Sequence, residues 1–441
     1  MSGHSALGAQ LRSLRTAADV TIESLAAMSG VSDRTISDIE RGVSAAPQHR
    51  TLVAIASALG LHADAREALF ATARAARSAR RTATGNALAT TTPARRADEF
   101  TGRERELATA LRFLSATTAI AAPTLVISGG PGVGKTAMAV ELLGRATGRP
   151  TTLVADLNGF GVPTAPTQLL QELLRQLPGG HERMPTTLDD AARRWKWLTA
   201  RNPPLVLLDN AANEAQVRPV LSLNPHGAVV VTSRRSLAGL EGVSRITLGP
   251  LDREASIRML ERLIPSAQRD PLDTVALAEL AEGMPLALRL AADAITSDPG
   301  HRAAELVASL RSADDRLNGF VAGDDSVAAA IALSYDELPV PTAELWRDVS
   351  AIDLESFDAR LAASVTAGPA SAVDVWTVEN RLDELADQGL LEARGGDRYR
   401  LSGLLRLFAL ARLREYGGEG GVTDRRRRVA EWLLANEGVD P

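Results

Sequence analysis

Between Thr124 and Thr232 four short apolar runs, Thr124–Ser128, Leu153–Ala155, Leu205–Leu208 and Ala228–Thr232, alternate with longer amphipathic stretches. Strand alternating with helix predicts a parallel sheet covered by helices on both faces. On the N-terminal side, residues 5–73 read as a series of short amphipathic helices separated by glycine turns. Residues 74–97 are Arg, Ala and Thr with few large apolar side chains, which predicts a linker that starts helical and ends loose. Residues 251–320 read as helical throughout. From Ser326 helices dominate until Gly389–Leu401, which reads as a short hairpin. No repeat of 20–50 residues is visible, which argues against a solenoid or propeller.

Composition narrows the class. A chain of 441 residues is too long for one core and suits three or four modules. Hydrophobic residues at 45% and charged residues at 23% are ordinary for a soluble globular protein. No run approaches the roughly 20 apolar residues of a membrane span, and the N-terminus lacks a secretory leader. A cytoplasmic protein without a membrane partner is expected. With no cysteine and six scattered histidines, disulfides and thiolate metal sites are excluded and no structural metal is expected. Net charge is −5, yet residues 1–97 hold 12 Arg against 7 acidic residues. A basic N-terminus on an acidic body suits a nucleic-acid module, an ordinary solvated surface being the other reading. Of 49 basic residues only Lys135 and Lys196 are lysine. One of them stands where a compact ammonium does what a guanidinium fork cannot.

That lysine belongs to the segment Thr124–Leu143, a strand, a glycine-rich loop and a helix in succession. Gly129, Gly134, Lys135 and Thr136 fit G-x-x-x-x-G-K-[ST], a P-loop. Glycines at 129, 130, 132 and 134 let main-chain N–H groups curl inward as an anion nest, with Pro131 and Val133 between them. The helix expected to begin near Lys135, with Ala137 in its first turn, adds its positive dipole end. Lys135 is expected to reach the β- and γ-phosphates of ATP, and Thr136 to ligate Mg²⁺. Leu205–Asn210 is a buried-strand pattern ending in a carboxylate, so Asp209 is expected on the metal side. The next residue, Asn210, has no useful basicity, which predicts slow hydrolysis at most. Neither lysine lies in an N/T-K-x-D segment, so guanine specificity is not expected.

These residues and several further segments resemble the NB-ARC branch of the STAND signalling ATPases over about residues 98–415. FTGREREL at Phe100–Leu107 resembles the family's first motif, which implies that Arg103 approaches the nucleotide. VADLNGFG at Val154–Gly161 resembles the segment after the second strand of actinobacterial members. VVVTSRR at Val229–Arg235 resembles the sensor strand and implies a γ-phosphate-sensing role for Arg234. GMPLAL at Gly283–Leu288 resembles the G-x-P motif and implies that Pro285 packs on adenine. SYDELP at Ser334–Pro339 is similar to the start of the winged-helix subdomain. One departure matters: the family's Met-His-Asp triad, whose His binds ADP phosphate in the closed state, is here Leu401-Ser402-Gly403. Loss of the imidazole puts a tightly locked ADP state in doubt.

Ser24–Gly42 has helix-turn-helix spacing. Leu25, Ala26, Val31, Ile36 and Ile39 are expected to face inward, Gly30 to permit the turn, and Ser32 to cap the second helix. Arg34, Ser37, Asp38 and Arg41 share the outward face of that helix, beside Thr35. Arg34 could pair with guanine and Asp38 accept from cytosine, while Arg50, with Arg12 and Arg15, would hold phosphates. Residues 7–73 resemble the Cro/repressor (XRE-type) family, which implies a double-stranded DNA operator as partner. Ile22 stands where that family often has Gln, and Asp33 and Asp38 bring negative charge near DNA, which implies modest affinity unless several copies bind together. Use of the module for protein contacts is the other reading. Arg74, Arg77, Arg80 and Arg81 adjoin it as possible backbone contacts. The five tryptophans read as core anchors, and Arg425–Arg428 as a solvated helix face ahead of a phosphate patch.

The whole is a multidomain chain: an all-α helix-turn-helix domain at 1–73, the linker at 74–97, and an α/β P-loop domain with a parallel sheet at 98–250. A helical domain at 251–322 and a winged-helix domain at 323–441 follow. The expected function is a transcriptional regulator switched by ATP and ADP with Mg²⁺, closed with ADP and assembly-competent with ATP as a homo-oligomer. The alternatives are a defence or stress STAND ATPase whose helix-turn-helix contacts protein, and a repressor with a structural nucleotide. Family members carry helical repeats after the winged helix, whereas this sequence ends at Pro441. The trigger is therefore expected to be a separate sensor protein, a small molecule or nucleotide level.

Overall fold

Residues 6–42, 49–61, 65, 69, 72, 100–115, 123–146, 151–159, 164–180, 184–224, 227–297, 303–322, 325–366 and 374–436 are described by the computed structural model. The expected linker with Arg74, Arg77, Arg80 and Arg81, and the side chain of Arg50, lie outside the described residues. The chain divides into two compact units.

The first unit contains α1 (Ala6–Ala17), α2 (Ile22–Ser29), α3 (Asp33–Glu40) and α4 (His49–Ala58). α2 and α3 are each started by a polar cap: Thr21 accepts the Ser24 N–H, and Ser32 accepts that of Thr35 at 3.2 Å. Gly30, at φ 68°, ends α2 in the left-handed conformation that only glycine adopts cheaply. Leu7, Leu11, Leu25, Ile36, Ile39, Leu52 and Ile55 form the core. Gly8 lets α1 lie against the end of α3, where a Cβ would meet the Ile39 and Glu40 carbonyls at 2.6 Å.

The second unit opens with α5 (Glu104–Ser115), β1 (Thr124–Gly129), α6 (Lys135–Arg145) and β2 (Thr152–Asp156). It continues through α7 (Pro166–Arg175), α8 (Leu188–Thr199), β3 (Leu205–Ala211), α9 (Glu214–Leu223), β4 (Val229–Ser233) and β5 (Ser244–Leu248). The five strands are parallel, in the order β2-β3-β4-β1-β5. Alternation sends Leu125, Ile127, Leu205 and Leu207 to the face covered by α5 and α6. Val126, Val206, Leu208 and Val231 go to the face covered by α7, α8 and α9. The expected fold class is therefore the observed one. The edge strand β5 was not foreseen. Its sequence SRITL alternates and is half-solvated, and the pairing with β1 is what makes it a strand.

Beyond the sheet come α10 (Arg253–Leu263), α11 (Pro271–Leu280), α12 (Pro285–Ser297), α13 (Ala303–Leu310) and α14 (Ala313–Gly319). The two-residue strands β6 (Val321–Ala322) and β7 (Asp325–Ser326) follow, then α15 (Val327–Tyr335) and α16 (Val340–Val349). The last elements are β8 (Phe357–Asp358), α17 (Ala359–Thr366), α18 (Val375–Asp387), β9 (Glu392–Arg394), β10 (Arg398–Arg400) and α19 (Gly403–Ala435), which breaks at Gly418. The expected hairpin is β9–β10, joined by β8 into a three-stranded antiparallel sheet. One continuous apolar core runs from Leu251 through Trp346 and Phe408 to Val429.

Two tryptophans depart from the core role expected of them. Trp195 and Trp346 are buried, but Trp197 is 78% and Trp376 69% exposed. On α8 the buried positions are Ala191, Trp195 and Thr199, so Trp197, about 200° further round, faces water. Trp376 stands in the same relation to buried Val378 on α18. In the run Arg425–Arg428, Arg425 pairs with Asp348 at 3.0 Å and Arg428 donates to the Val365 carbonyl at 3.0 Å. Those two arginines fasten the end of α19 to its neighbours.

Candidate nucleotide and DNA sites

β1 delivers the chain to Gly129, and the loop that follows bends through conformations closed to most side chains. Gly129, Gly132 and Gly134 have φ of 144°, 74° and 90°. Gly134 begins α6 with no side-chain cap, so the first N–H groups of that helix point into the loop. The Lys135 ammonium folds back and donates to the Gly129 and Gly130 carbonyls at 2.9 and 2.8 Å. Burial, and then the Arg234 guanidinium, lower its pKa to about 7, against the opposing pull of Asp209.

Asp209 ends the apolar part of β3. Its carboxylate accepts from the Thr136 hydroxyl at 2.9 and 3.2 Å and from the Thr232 hydroxyl on neighbouring β4. Burial pushes its pKa up, the two threonine hydrogen bonds oppose this, and Asp156, its register partner on β2, adds to it. Asn210 takes a left-handed φ of 60° and donates its N–H to Thr232 at 2.8 Å. Thr232 was not singled out in the sequence, although one hydroxyl directly after the apolar run Val229–Val231 was a visible signal. A hydroxyl and a carboxylate are the hard oxygen donors Mg²⁺ prefers. The glycine loop beside them, bent through left-handed backbone and ending at the uncapped start of α6, suits a phosphate, so the residues present fit a magnesium–nucleotide. Thr136 and Asp209 would hold the metal, which would supply charge neutralisation.

The remaining candidates converge on the same loop. Arg103, at φ 70°, donates to the Val133 carbonyl at 3.3 Å and to that of Gly249. Pro285 begins α12 with its ring 3.9 Å from where a Cβ on Gly134 would stand, and the Leu286 N–H donates to the Gly132 carbonyl at 3.1 Å. Pro131 and Val133 are buried, and Ala137 is exposed on the first turn of α6. Arg234, just after β4, donates to the Leu333 carbonyl at 3.3 Å and pairs with Glu337 at 3.1 Å. Nearby, Ser236 donates its N–H and hydroxyl to Asp387 at 3.1 and 2.6 Å. The turn after α18 reaches the loop itself: a Cβ on Gly130 would meet the Gly389 carbonyl at 2.6 Å. Glu337, Asp387 and Gly389 were missed because they lie more than 100 residues from their partners.

In the first unit, Arg34 is exposed on α3, and Arg41 pairs with Asp38 at 2.7 Å on the same face. Ser37 and Thr35 are half-buried there, Thr35 sharing a hydroxyl hydrogen bond with Ser32 at 2.8 Å. Arg15 does not keep the phosphate-holding role expected of it. Its guanidinium grips Glu40 at 2.6 and 2.9 Å and the Val20 carbonyl at 2.8 Å, tying α1 to α3. Arg12 is exposed.

The family described as "Helix-turn-helix domain" matches residues 6–69. The chain is similar to the regulatory protein AfsR of Streptomyces coelicolor, 30% identical over 349 residues, covering 76% of this chain and 34% of that one. AfsR of Streptomyces griseus is 31% identical over 328 residues, covering 71% and 32%. The chain thus spans about a third of the length of the curated relatives it matches. Among solved structures, the ORC2 protein of Aeropyrum pernix matches at 14% identity and a TM-score of 0.47, covering 76% of this chain and 96% of that one. Among the described residues, no helix is long and apolar enough to cross a membrane.

Proposed function

We propose that this relative of the AfsR regulatory proteins, a helix-turn-helix domain joined to a STAND-type P-loop module, is a DNA-binding transcriptional regulator switched by adenine nucleotides. The observation that carries the reading is the position of Arg234. It stands at the end of the strand whose Thr232 holds Asp209, close enough to Lys135 to depress its pKa, while its guanidinium is engaged by Glu337 and Leu333. Arg234 can serve a γ-phosphate only by loosening its hold on Glu337. With ADP that hold stays intact, and with ATP and Mg²⁺ it is contested.

Moving such an equilibrium from 1:99 to 99:1 takes about 5.5 kcal/mol of differential binding. One hydrogen bond supplies less, so Lys135, Arg234 and the Thr136–Asp209 metal side act together. Asn210 in place of a carboxylate suits a slow switch. In the open form, copies of the chain assemble and present α3 to the major groove, with Arg34, Thr35, Ser37, Asp38 and Arg41 toward base edges and Arg50 toward phosphate.

Gel-shift titration on the chain's own upstream DNA, with ADP or with ATP and Mg²⁺, tests this. Nucleotide-dependent affinity is expected, and Lys135→Ala should abolish the dependence. A Lys135→Ala protein that still responds to nucleotide would sink the mechanism. Arg34→Ala should weaken specific binding by about 1–3 kcal/mol.

A further inference from the structure

α19 starts without a cap of its own. Ser402 has the extended conformation of an N-cap residue, φ −67° and ψ 156°, yet its side chain makes no cap hydrogen bond. The N–H groups of Gly403 and Leu404 are answered from another part of the unit: both donate to the carboxylate of Glu282, that of Leu404 at 3.3 Å. A carboxylate at a helix N-terminus satisfies orphan donors and the positive dipole end together. Gly403 makes room for it, since a Cβ there would overlap the Glu282 carboxylate. Arg316 and Arg400 are the cations that face Glu282, and burial raises its pKa against them.

Glu282 is held in this position at a conformational cost. Its φ is 51° and that of Gly283 is 68°, two consecutive left-handed residues, and the first carries a side chain. Asparagine or glycine would be cheaper at 282. Gly283 is pinned by Leu251, whose N–H donates to its carbonyl at 2.7 Å. Immediately after it, Met284 and Leu286 pack on Gly132 and Pro285 stands beside Gly134. Glu282–Leu286 is therefore a five-residue strap with one end on α19 and the other on the P-loop.

We infer that Glu282 is a latch: it holds the C-terminal helical region shut over the P-loop through the start of α19, without needing a nucleotide. The inference rests on the nucleotide-switch reading for what the closure governs, but its contact is made by the chain alone. At Ser402–Leu404 the latch is a hold that the chain makes with its own groups. Nucleotide then opens or fails to open a region that is already closed.

The absence of cysteine allows a dye pair at Arg201→Cys and Gly395→Cys, exposed positions on the sheet side and on the β9–β10 turn. Energy transfer in nucleotide-stripped protein then reads closure. Glu282→Ala should raise the open-to-closed ratio at least about tenfold, as expected for loss of charge-assisted hydrogen bonds. Gly403→Ala should open it as well, because its Cβ displaces the Glu282 carboxylate while leaving that carboxyl group in the chain. In the double variant Gly403→Ala should add nothing to Glu282→Ala, because the carboxylate it collides with is gone. Lys135→Ala should leave the stripped protein closed. Unchanged transfer in Glu282→Ala, or additive effects in the double variant, would overturn the latch. If Glu282→Ala fails to fold, unchanged transfer in Gly403→Ala overturns it alone. If stripped wild-type protein takes up no ATP or ADP while both single variants open, the latch stands and the nucleotide switch falls.

Discussion

Two helices of the second unit begin beside a glycine and lack a side-chain cap of their own, α6 at Gly134 and α19 at Gly403. They solve the same problem, orphan N–H donors at a positive dipole end, in opposite ways. At α19 the chain supplies the anion itself, the Glu282 carboxylate, and the contact is part of the fold. At α6 the surrounding groups are main-chain amides, an ammonium and a threonine hydroxyl turned to Asp209, a set that on the proposed reading receives an exchangeable anion. On the proposed reading, the helix start with a permanent contact carries its own counter-charge, and the one that trades its occupant does not.

The comparison can be broken at its exchangeable end first. Lys135→Ala should weaken binding of ATP and ADP by about 100-fold in calorimetry, the worth of a charged hydrogen-bonding group. Gly130→Ala comes next. Its Cβ would lie 2.6 Å from the Gly389 carbonyl, so overpacking should cost about 2 kcal/mol, seen as a lower Tm. A smaller effect follows from pH. Lys135 titrates at about 7 in the folded chain, below its ordinary value, so its unfavourable burial is fully felt below pH 7 and is relieved as pH rises toward 10.5. Above pH 7 a phosphate ligand must therefore draw a proton onto Lys135. Affinity should fall by up to about tenfold per pH unit there, with proton uptake visible as a buffer-dependent binding enthalpy. Lys135→Ala should show no such uptake. The smallest effect sharpens the other end. Ser402→Ala should change stability by less than about 0.5 kcal/mol in denaturant titration, because Glu282, and not Ser402, caps α19. A loss of more than about 1 kcal/mol, as a working cap gives, would remove the contrast.

Much of the site was legible along the chain because its parts are local. Strand, glycine loop, Lys135 and Thr136 occupy thirteen consecutive positions, and each residue type there is required by close approach to an anion. Asp209 was legible because a carboxylate ending a buried apolar run is rare unless something uses it. The strands β1 to β4 were legible because a parallel sheet buried on both faces writes near-continuous apolar runs. The edge strand β5 was not, since one side of it meets solvent and its pattern matches that of any half-exposed segment. Trp197 misled for a related reason. Tryptophan predicts a core, but the face of α8 it occupies is set by Ala191, Trp195 and Thr199.

Sequence alone determined the P-loop chemistry, the helix-turn-helix spacing and the alternation that makes a parallel sheet, since each depends on neighbours within about one turn or one strand. Tertiary structure decided who answers whom. It paired Arg234 with Glu337, laid Gly389 on Gly130 and turned Glu282 onto Gly403 and Leu404. Those contacts join positions separated by 100 residues or more, and no local pattern encodes them. The backbone path alone brings such groups within hydrogen-bond reach.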